Sequence, residues 1–335
     1  MHNIKRHFQI FIFLSSVCFS SLSYTTETDT RGLNWIGPSI ETSKALLFGQ
    51  YRAIVIGNNH YQDSNGIWTN LKTAVKDAEN VANLLEADYG FSDITLLKNA
   101  GRKEILGEFK KLSKRVEPND NILIYYAGHG HLDKDEQRGY WIPTDGQGYD
   151  DTTFIRNSTI RDEINIIAEK TKHTLLVSDS CFSGSLLRGG NRGPSSMELS
   201  QGYYVKVANK KSVQVLTSGG NEYVDDSYRN SGHSPFTYFL VNELKYNKQK
   251  YVSLSELATN IIKAVANNSE QTPLYGVLAN AGDELGEFIF VRSALNDNFA
   301  DVVTVKNIAL ETNELEIQPA PTLKESHALL PAFRF

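Results

Sequence analysis

The chain has 335 residues, 40% of them hydrophobic, enough for one large domain or two ordinary ones with a sizeable core. A net charge of −5 and a pI near 5.9 argue against nucleic acid as a bulk electrostatic partner. At the N-terminus, Lys5 and Arg6 precede an apolar run from Phe8 to Phe19, and small and hydroxyl residues follow from Ser20 to Ser23. This is the layout of a secretory signal peptide (residues 1–23). The run is short for a transmembrane helix, and an uncleaved anchor is the alternative. Cys18 falls inside the segment, with Val17 where a lipoprotein signal would carry a small residue. Processing after Ser23 leaves Cys181 as the sole thiol, and 32 basic against 39 acidic residues. The expected location is secreted or periplasmic, with no nucleic acid bound and no stable membrane insertion once the signal is removed. A lone thiol in an oxidising compartment is open to oxidation and intermolecular pairing, so its retention implies a use.

Residues 24–50 read as a polar N-terminal arm. Arg52 to Gly57 is a continuous apolar run with a glycine stop, the mark of a buried parallel strand. After a loop from Asn58 to Asn70, the apolar positions Leu71, Ala74, Val75, Ala78, Val81, Ala82 and Leu85 recur at helical spacing, and Gly90 ends that helix. Ile94–Leu97 predicts a second strand, and Ile105, Leu106, Phe109 and Leu112 a second helix. Asn121–Ala127 predicts a third strand. Residues 131–157 read as a polar loop with a hairpin around Tyr140–Pro143, then a helix bearing Ile160, Ile164 and Ile167 on one face. Thr174–Ser178 predicts a fourth strand. This alternation predicts an α/β fold, a mostly parallel sheet with helices on both faces. Residues 183–212 break the rhythm and read as a long loop. Val213–Thr217 predicts a fifth strand. Ser234–Pro235 starts a helix, Ser253 and Glu256 fit a capping box, and Phe288–Val291 predicts the last strand. Val302–Val305, in the ambiguous tail, is a further candidate for pairing.

Two strand tips carry chemistry. Tyr-Tyr-Ala-Gly-His-Gly ends the third strand at His129, and Ser-Asp-Ser-Cys-Phe-Ser-Gly follows the fourth at Cys181. Functional groups gather beyond the carboxyl ends of strands in open parallel sheets. Amide cleavage needs a thiolate nucleophile, an acid for the leaving amine and donors for the oxyanion. Cys181 and His129 supply the first two. The N–H groups of Gly130 and Cys181 supply the third, Gly130 because it has no Cβ to hold a developing oxyanion away. A metal reading of the alternating His129, His131 and Asp133 lacks a second ligand cluster.

These stretches, together with Arg52–Asn58, Asn70–Ala78 and Thr217–Glu222, resemble the caspase and metacaspase family of cysteine peptidases, especially its bacterial members. The resemblance covers about Tyr51 to Arg292, and the histidine-to-cysteine spacing agrees with it. It implies a caspase-like, mostly parallel six-stranded sheet. The peptidase domain is then residues 51–292: a large segment (51–182), an intersegment loop (183–212) and a small segment (213–292), with a C-terminal extension from 293 to 335. Asp-Ser-Cys-Phe-Ser-Gly departs from the Gln-Ala-Cys of animal caspases, which turns expectation away from aspartate specificity. Asp77 and Asp179 suit the capture of Arg or Lys through charge-assisted hydrogen bonds, because negative charge beside the sulfur makes little sense as activation. By resemblance, the end of the fifth strand at Ser218 offers backbone to an extended substrate. Arg188, Arg192, Lys206, Lys210 and Lys211 are candidate self-cleavage points. The sequence requires no cofactor. Some metacaspases need calcium, which points to the acidic pairs Asp150–Asp151 and Asp162–Glu163, but no full oxygen cage follows from them. The expected function is a secreted cysteine endopeptidase acting on peptides or proteins with a basic residue at the cleavage site. The alternative is a catalytically idle caspase-like interaction module. Oligomeric state is not legible.

Overall fold

A computed structural model of the chain describes residues 49–181, 183–187, 201–220 and 224–293. The predicted signal segment, the predicted arm up to residue 48, Arg188, Arg192, Val302–Val305 and the chain from 294 onward lie outside the described residues.

The core is a six-stranded sheet in the order β10-β8-β7-β3-β1-β2. Its strands are β1 (Tyr51–Gly57), β2 (Phe91–Lys98), β3 (Asn121–Ala127), β7 (His173–Asp179), β8 (Ser212–Thr217) and β10 (Leu274–Val277). Every pairing is parallel except β8 with β10. A strand buried on both faces needs apolar residues at successive positions. In β1, Ala53 and Val55 enter one core layer while Ile54 and Ile56 enter the other, all fully buried. The first layer is closed by α1 (Ala74–Tyr89), α5 (Pro235–Tyr246) and α6 (Leu254–Ala266), and the second by α2 (Arg102–Arg115) and α3 (Asn157–Ala168).

The helix signals act where the sequence places them. Gly90 takes a left-handed φ of 64° after α1, a conformation open to glycine at little cost. Ser234 caps α5 by accepting the Thr237 N–H, with Pro235 in its first turn. Ser253 caps α6 by accepting the Glu256 N–H.

Four expectations are corrected. The sixth strand is not Phe288–Val291 but β10. Instead, β11 (Ile289–Val291) pairs with β9 (Tyr251–Ser253) in a separate two-stranded ribbon. Residues 131–157 are more ordered than a hairpin loop: β4 (Gly130–Asp133), β5 (Arg138–Trp141) and β6 (Ile155–Arg156) form an antiparallel sheet. The first helix starts at Ala74, not Leu71. The 183–212 segment contains a 3₁₀ turn at Ser183–Leu186 and a helix, α4 (Gln201–Ala208). That helix is held by distant partners: Tyr203 Oη donates to Glu287 at 2.6 Å and Tyr204 Oη to Glu256 at 3.1 Å. Lys206 therefore lies in a helix, with Lys210 and Lys211 in the ordered turn that enters β8.

Candidate active site

β3 and β7 pair with a fixed offset of 52 residues, from Asn121 opposite His173 to Ala127 opposite Asp179. His129 and Cys181 each lie two residues past those strand ends and keep the same offset, so the pairing register itself brings them to neighbouring tips. The tips are tied together: the Gly128 N–H donates to the Asp179 carbonyl at 3.3 Å, and the Ser218 N–H to the Ser178 carbonyl at 2.9 Å. His129, Gly130, Cys181, Asp77 and Asp179 all line one cavity of about 270 Å³. Ser218 is fully buried and is not on its wall; the Ser218 hydroxyl lies beside Asp179 instead.

His129 is fixed from all sides. Its N–H donates to the Tyr61 hydroxyl at 2.8 Å, and its carbonyl accepts from Tyr126 Oη at 2.9 Å and from the Ile142 N–H at 3.0 Å. The ring lies 4.7 Å from that of Tyr61 and 5.6 Å from that of Trp68. Nε2 is 2.7 Å from the Thr69 carbonyl. A carbonyl only accepts, so Nε2 carries the hydrogen, and in the neutral ring Nδ1 keeps the lone pair. Burial lowers the imidazole pKa below its usual 6.5, against the opposing pull of the Thr69 carbonyl and Asp226. The loop that presents Trp68 and Thr69 is organised by Asp63, whose carboxylate accepts the N–H groups of Asn65, Ile67, Trp68 and Gly148. Desolvation pushes its pKa up, but these donors bring it down to about 2.

Cys181 is half-buried in the turn after β7. The Val224 N–H donates to its Sγ at 3.2 Å. The turn is braced by Ser183 Oγ donating to the Ser180 carbonyl at 3.0 Å and by the indole N–H of Trp141 donating to Ser178 Oγ at 3.2 Å. The backbones at 130 and 181 touch. A Cβ on Gly130 would stand 2.1 Å from the Cys181 carbonyl oxygen, which no side chain tolerates.

The cavity wall is acidic. Besides Asp77 and Asp179 it includes Asp225 and Asp226, and the described residues lining it include no Lys or Arg. Asp179 is 5% exposed. Its Oδ2 accepts from Ser234 Oγ at 2.5 Å and Thr237 Oγ1 at 2.8 Å. Its Oδ1 is buried with no hydrogen-bond partner, and the Ser218 hydroxyl likewise completes no well-formed bond. Burial, then the charge of Asp77, raise the Asp179 carboxyl to about 7, against the pull of the nearby hydroxyls. Asp77 differs. Its Oδ1 is 2.5 Å from His233 Nδ1 and its Oδ2 accepts the Ser234 N–H at 3.2 Å. Burial raises its pKa and His233 is the chief opposing influence.

Thr69, Trp68, Val224, the Asp225–Asp226 pair and His233 were not singled out in the sequence. Only the acidic pair carried a visible signal, two adjacent aspartates shortly after the fifth strand. Of the suggested metal-binding groups, His131 packs among Trp68, Tyr140 and Phe154. Asp150 caps a 3₁₀ turn and Asp151 accepts from Tyr140 Oη. Among the described residues no three His, Cys, Asp or Glu side chains are gathered so as to hold a metal ion.

The caspase-domain family model matches residues 50–281. The chain is 27% identical over 156 residues to metacaspase III c of Phaeodactylum tricornutum, covering 42% of this chain and 44% of that protein. It is 30% identical over 163 residues to metacaspase-1 of Saccharomyces cerevisiae, covering 42% and 34%. It thus spans less than half the length of these curated relatives. Among solved structures, protein GSU0716 from Geobacter sulfurreducens has 19% identity and a TM-score of 0.48 over 71% of this chain and 99% of its own. Caspase-1 from Spodoptera frugiperda has 17% identity and a TM-score of 0.47 over 69% and 87%. With the family model spanning most of the chain, this protein belongs to the caspase and metacaspase family of cysteine peptidases.

Proposed function

We propose that this chain is a secreted cysteine endopeptidase that cuts after Arg or Lys using a Cys181–His129 dyad. The observation that carries the reading is the shared cavity: sulfur and imidazole on neighbouring strand tips, beside four aspartates and, among the described lining residues, no Lys or Arg.

In this reading a substrate cation enters toward Asp179, whose Oδ1 makes no well-formed hydrogen bond, and Asp77 adds to the negative potential. The Cys181 sulfur gives up its proton to His129 Nδ1 and attacks the carbonyl carbon. The N–H groups of Gly130 and Cys181 receive the oxyanion. The C–N bond then breaks, His129 protonates the departing amine, and a thioester remains. Water attacks that thioester with His129 as base, releasing the acid and restoring the thiol. The Thr69 carbonyl holds the ring tautomer throughout, so Nδ1 is the nitrogen that exchanges protons.

The test uses two fluorogenic peptides that differ only in Arg or Asp on the acyl side of the cut. The Arg peptide is expected to be cleaved at least 100-fold faster, and Cys181→Ala to be inactive on both. Faster cleavage after Asp, or activity surviving Cys181→Ala, rejects the reading. Recovery of the processed chain outside the cytoplasm with a new N-terminus after Ser23 checks the secretion part.

A further inference from the structure

We propose that His233 is a positioning residue for the specificity pocket: it occupies Asp77 and thereby leaves Asp179 Oδ1 as the acceptor for the incoming cation. The inference rests on the basic-specific reading above and deepens it.

Two buried carboxylates, Asp77 and Asp179, line one cavity, yet they are not equivalent. Both oxygens of Asp77 are engaged, by the His233 ring and the Ser234 N–H. On Asp179 one oxygen is engaged by two hydroxyls, while the other makes no well-formed hydrogen bond and has only the Ser218 hydroxyl nearby. The difference comes from two consecutive residues at the start of α5. His233 serves Asp77 alone, whereas Ser234 serves both, with its N–H on Asp77 and its Oγ on Asp179. Like charges this close oppose each other's ionisation, so the pair persists only while each carboxylate has donors. A buried carboxylate stripped of its donor takes up a proton instead.

The His233 ring is oriented as this role requires. A carboxylate only accepts, so Nδ1 donates to Asp77. On the far side, Nε2 lies 3.3 Å from Asn80 Nδ2, an amide nitrogen that only donates. Nε2 therefore accepts, and one tautomer satisfies both contacts. Removing the imidazole frees Asp77 to take a proton or to compete for the substrate cation. Either outcome moves the cation away from Asp179 Oδ1 and degrades binding, without touching Cys181 or His129.

The experiment compares wild type, His233→Ala and His233→Asn on Arg and Lys peptides. Asn restores a donor near the Nδ1 position. His233→Ala is expected to raise KM about tenfold or more with kcat within about twofold of wild type, and His233→Asn to recover most of the loss. Iodoacetamide is expected still to alkylate Cys181 in both, and thermal melting shows that each variant is folded. A fall in kcat at constant KM, unchanged kinetics, or no rescue by Asn overturns the proposal. Wild type failing to prefer Arg and Lys peptides would instead reject the specificity reading beneath it, so the two failures are distinguishable. Should His233→Ala not fold, His233→Asn against His233→Gln decides the matter: Gln reaches past the Nδ1 position, and equal KM values for the two overturn the assignment.

Discussion

Replacing Asp179 by Asn separates what the acidic pocket costs the fold from what it contributes to catalysis. The folded carboxyl titrates at about 7 against its usual 3.8, because of burial first and the Asp77 charge second. Between those two pH values the folded chain holds a proton that the unfolded chain has released. Stability therefore falls as pH rises through that window. At about 1.4 kcal/mol per pH unit, the penalty at pH 8 is on the order of 4 kcal/mol. Asn keeps the shape, and its oxygen can keep the Ser234 and Thr237 hydroxyl bonds, but it never ionises. Urea denaturation at pH 5 and pH 8 measures the effect. The difference between variant and wild type should grow in the variant's favour by a few kcal/mol toward pH 8. Activity should move the opposite way. A group titrating near 7 is about a tenth ionised at pH 6 and about nine-tenths at pH 8, so wild-type kcat/KM on an Arg peptide should rise about tenfold across that range. Burial lowers the His129 pKa from its usual 6.5, so its own limb is displaced to the acid side of this one. Asp179→Asn should lose the limb and most of its preference for Arg, while iodoacetamide still alkylates Cys181. A limb near 7 surviving in the variant, or a variant less stable than wild type at pH 8, refutes the reasoning.

Two further outcomes follow from the packing. Gly130→Ala places a methyl 2.1 Å from a backbone oxygen, so one strand tip must retreat by about 1 Å; kcat/KM should drop about 100-fold or more, and near-wild-type turnover would show that the tips are not the reacting geometry. His173, 5% exposed, bridges the Ala208 carbonyl at 2.9 Å and Ser212 Oγ at 2.8 Å, and burial lowers its pKa to about 4. The unfolded chain binds that proton first, so this contribution disappears as pH falls from 6.5 toward 4, by about 3 kcal/mol. Urea midpoints at pH 7 and pH 4.5 should converge in His173→Gln relative to wild type, and equal acid sensitivity would assign it elsewhere.

The parts of the fold that could be read from the sequence are those where local chemistry and burial coincide. β1, β3, β7 and β8 are sandwiched between two helix layers, so each carries a short run of apolar residues, interrupted in β8 only by the buried Gln214. His129 and Cys181 are legible for a related reason: each breaks such a run with a glycine or serine turn at the point where side chains leave the core. β10 is different. Leu-Tyr-Gly-Val is four residues long, follows Thr272-Pro273 and lies at the sheet edge, so neither length nor pattern marks it. α4 has a glycine near its start and is held by carboxylates on Glu256 and Glu287, 52 and 84 residues away. The contact between Asp77 and His233 spans 156 residues. Contacts of that range leave no periodicity in the sequence. Asp77 could be picked out as an acid near the site, but not as an acid already engaged.

That engagement bears on how one cavity hosts both a thiol nucleophile and a cluster of acids. Negative charge near a sulfur opposes its ionisation, and four aspartates line the space beside Cys181. Three arrangements soften the conflict. His233 and Ser234 compensate Asp77, burial keeps the Asp179 carboxyl protonated below about 7, and the Val224 N–H points at the sulfur. In the basic-specific reading proposed above, the remaining charge is balanced when a cationic side chain occupies the pocket. A basic substrate then does more than bind, because its charge also relieves the repulsion that the thiolate would otherwise meet. Selectivity for Arg over an uncharged isostere should therefore fall on kcat as well as on KM, since interactions that strengthen as charge develops act on the chemical step.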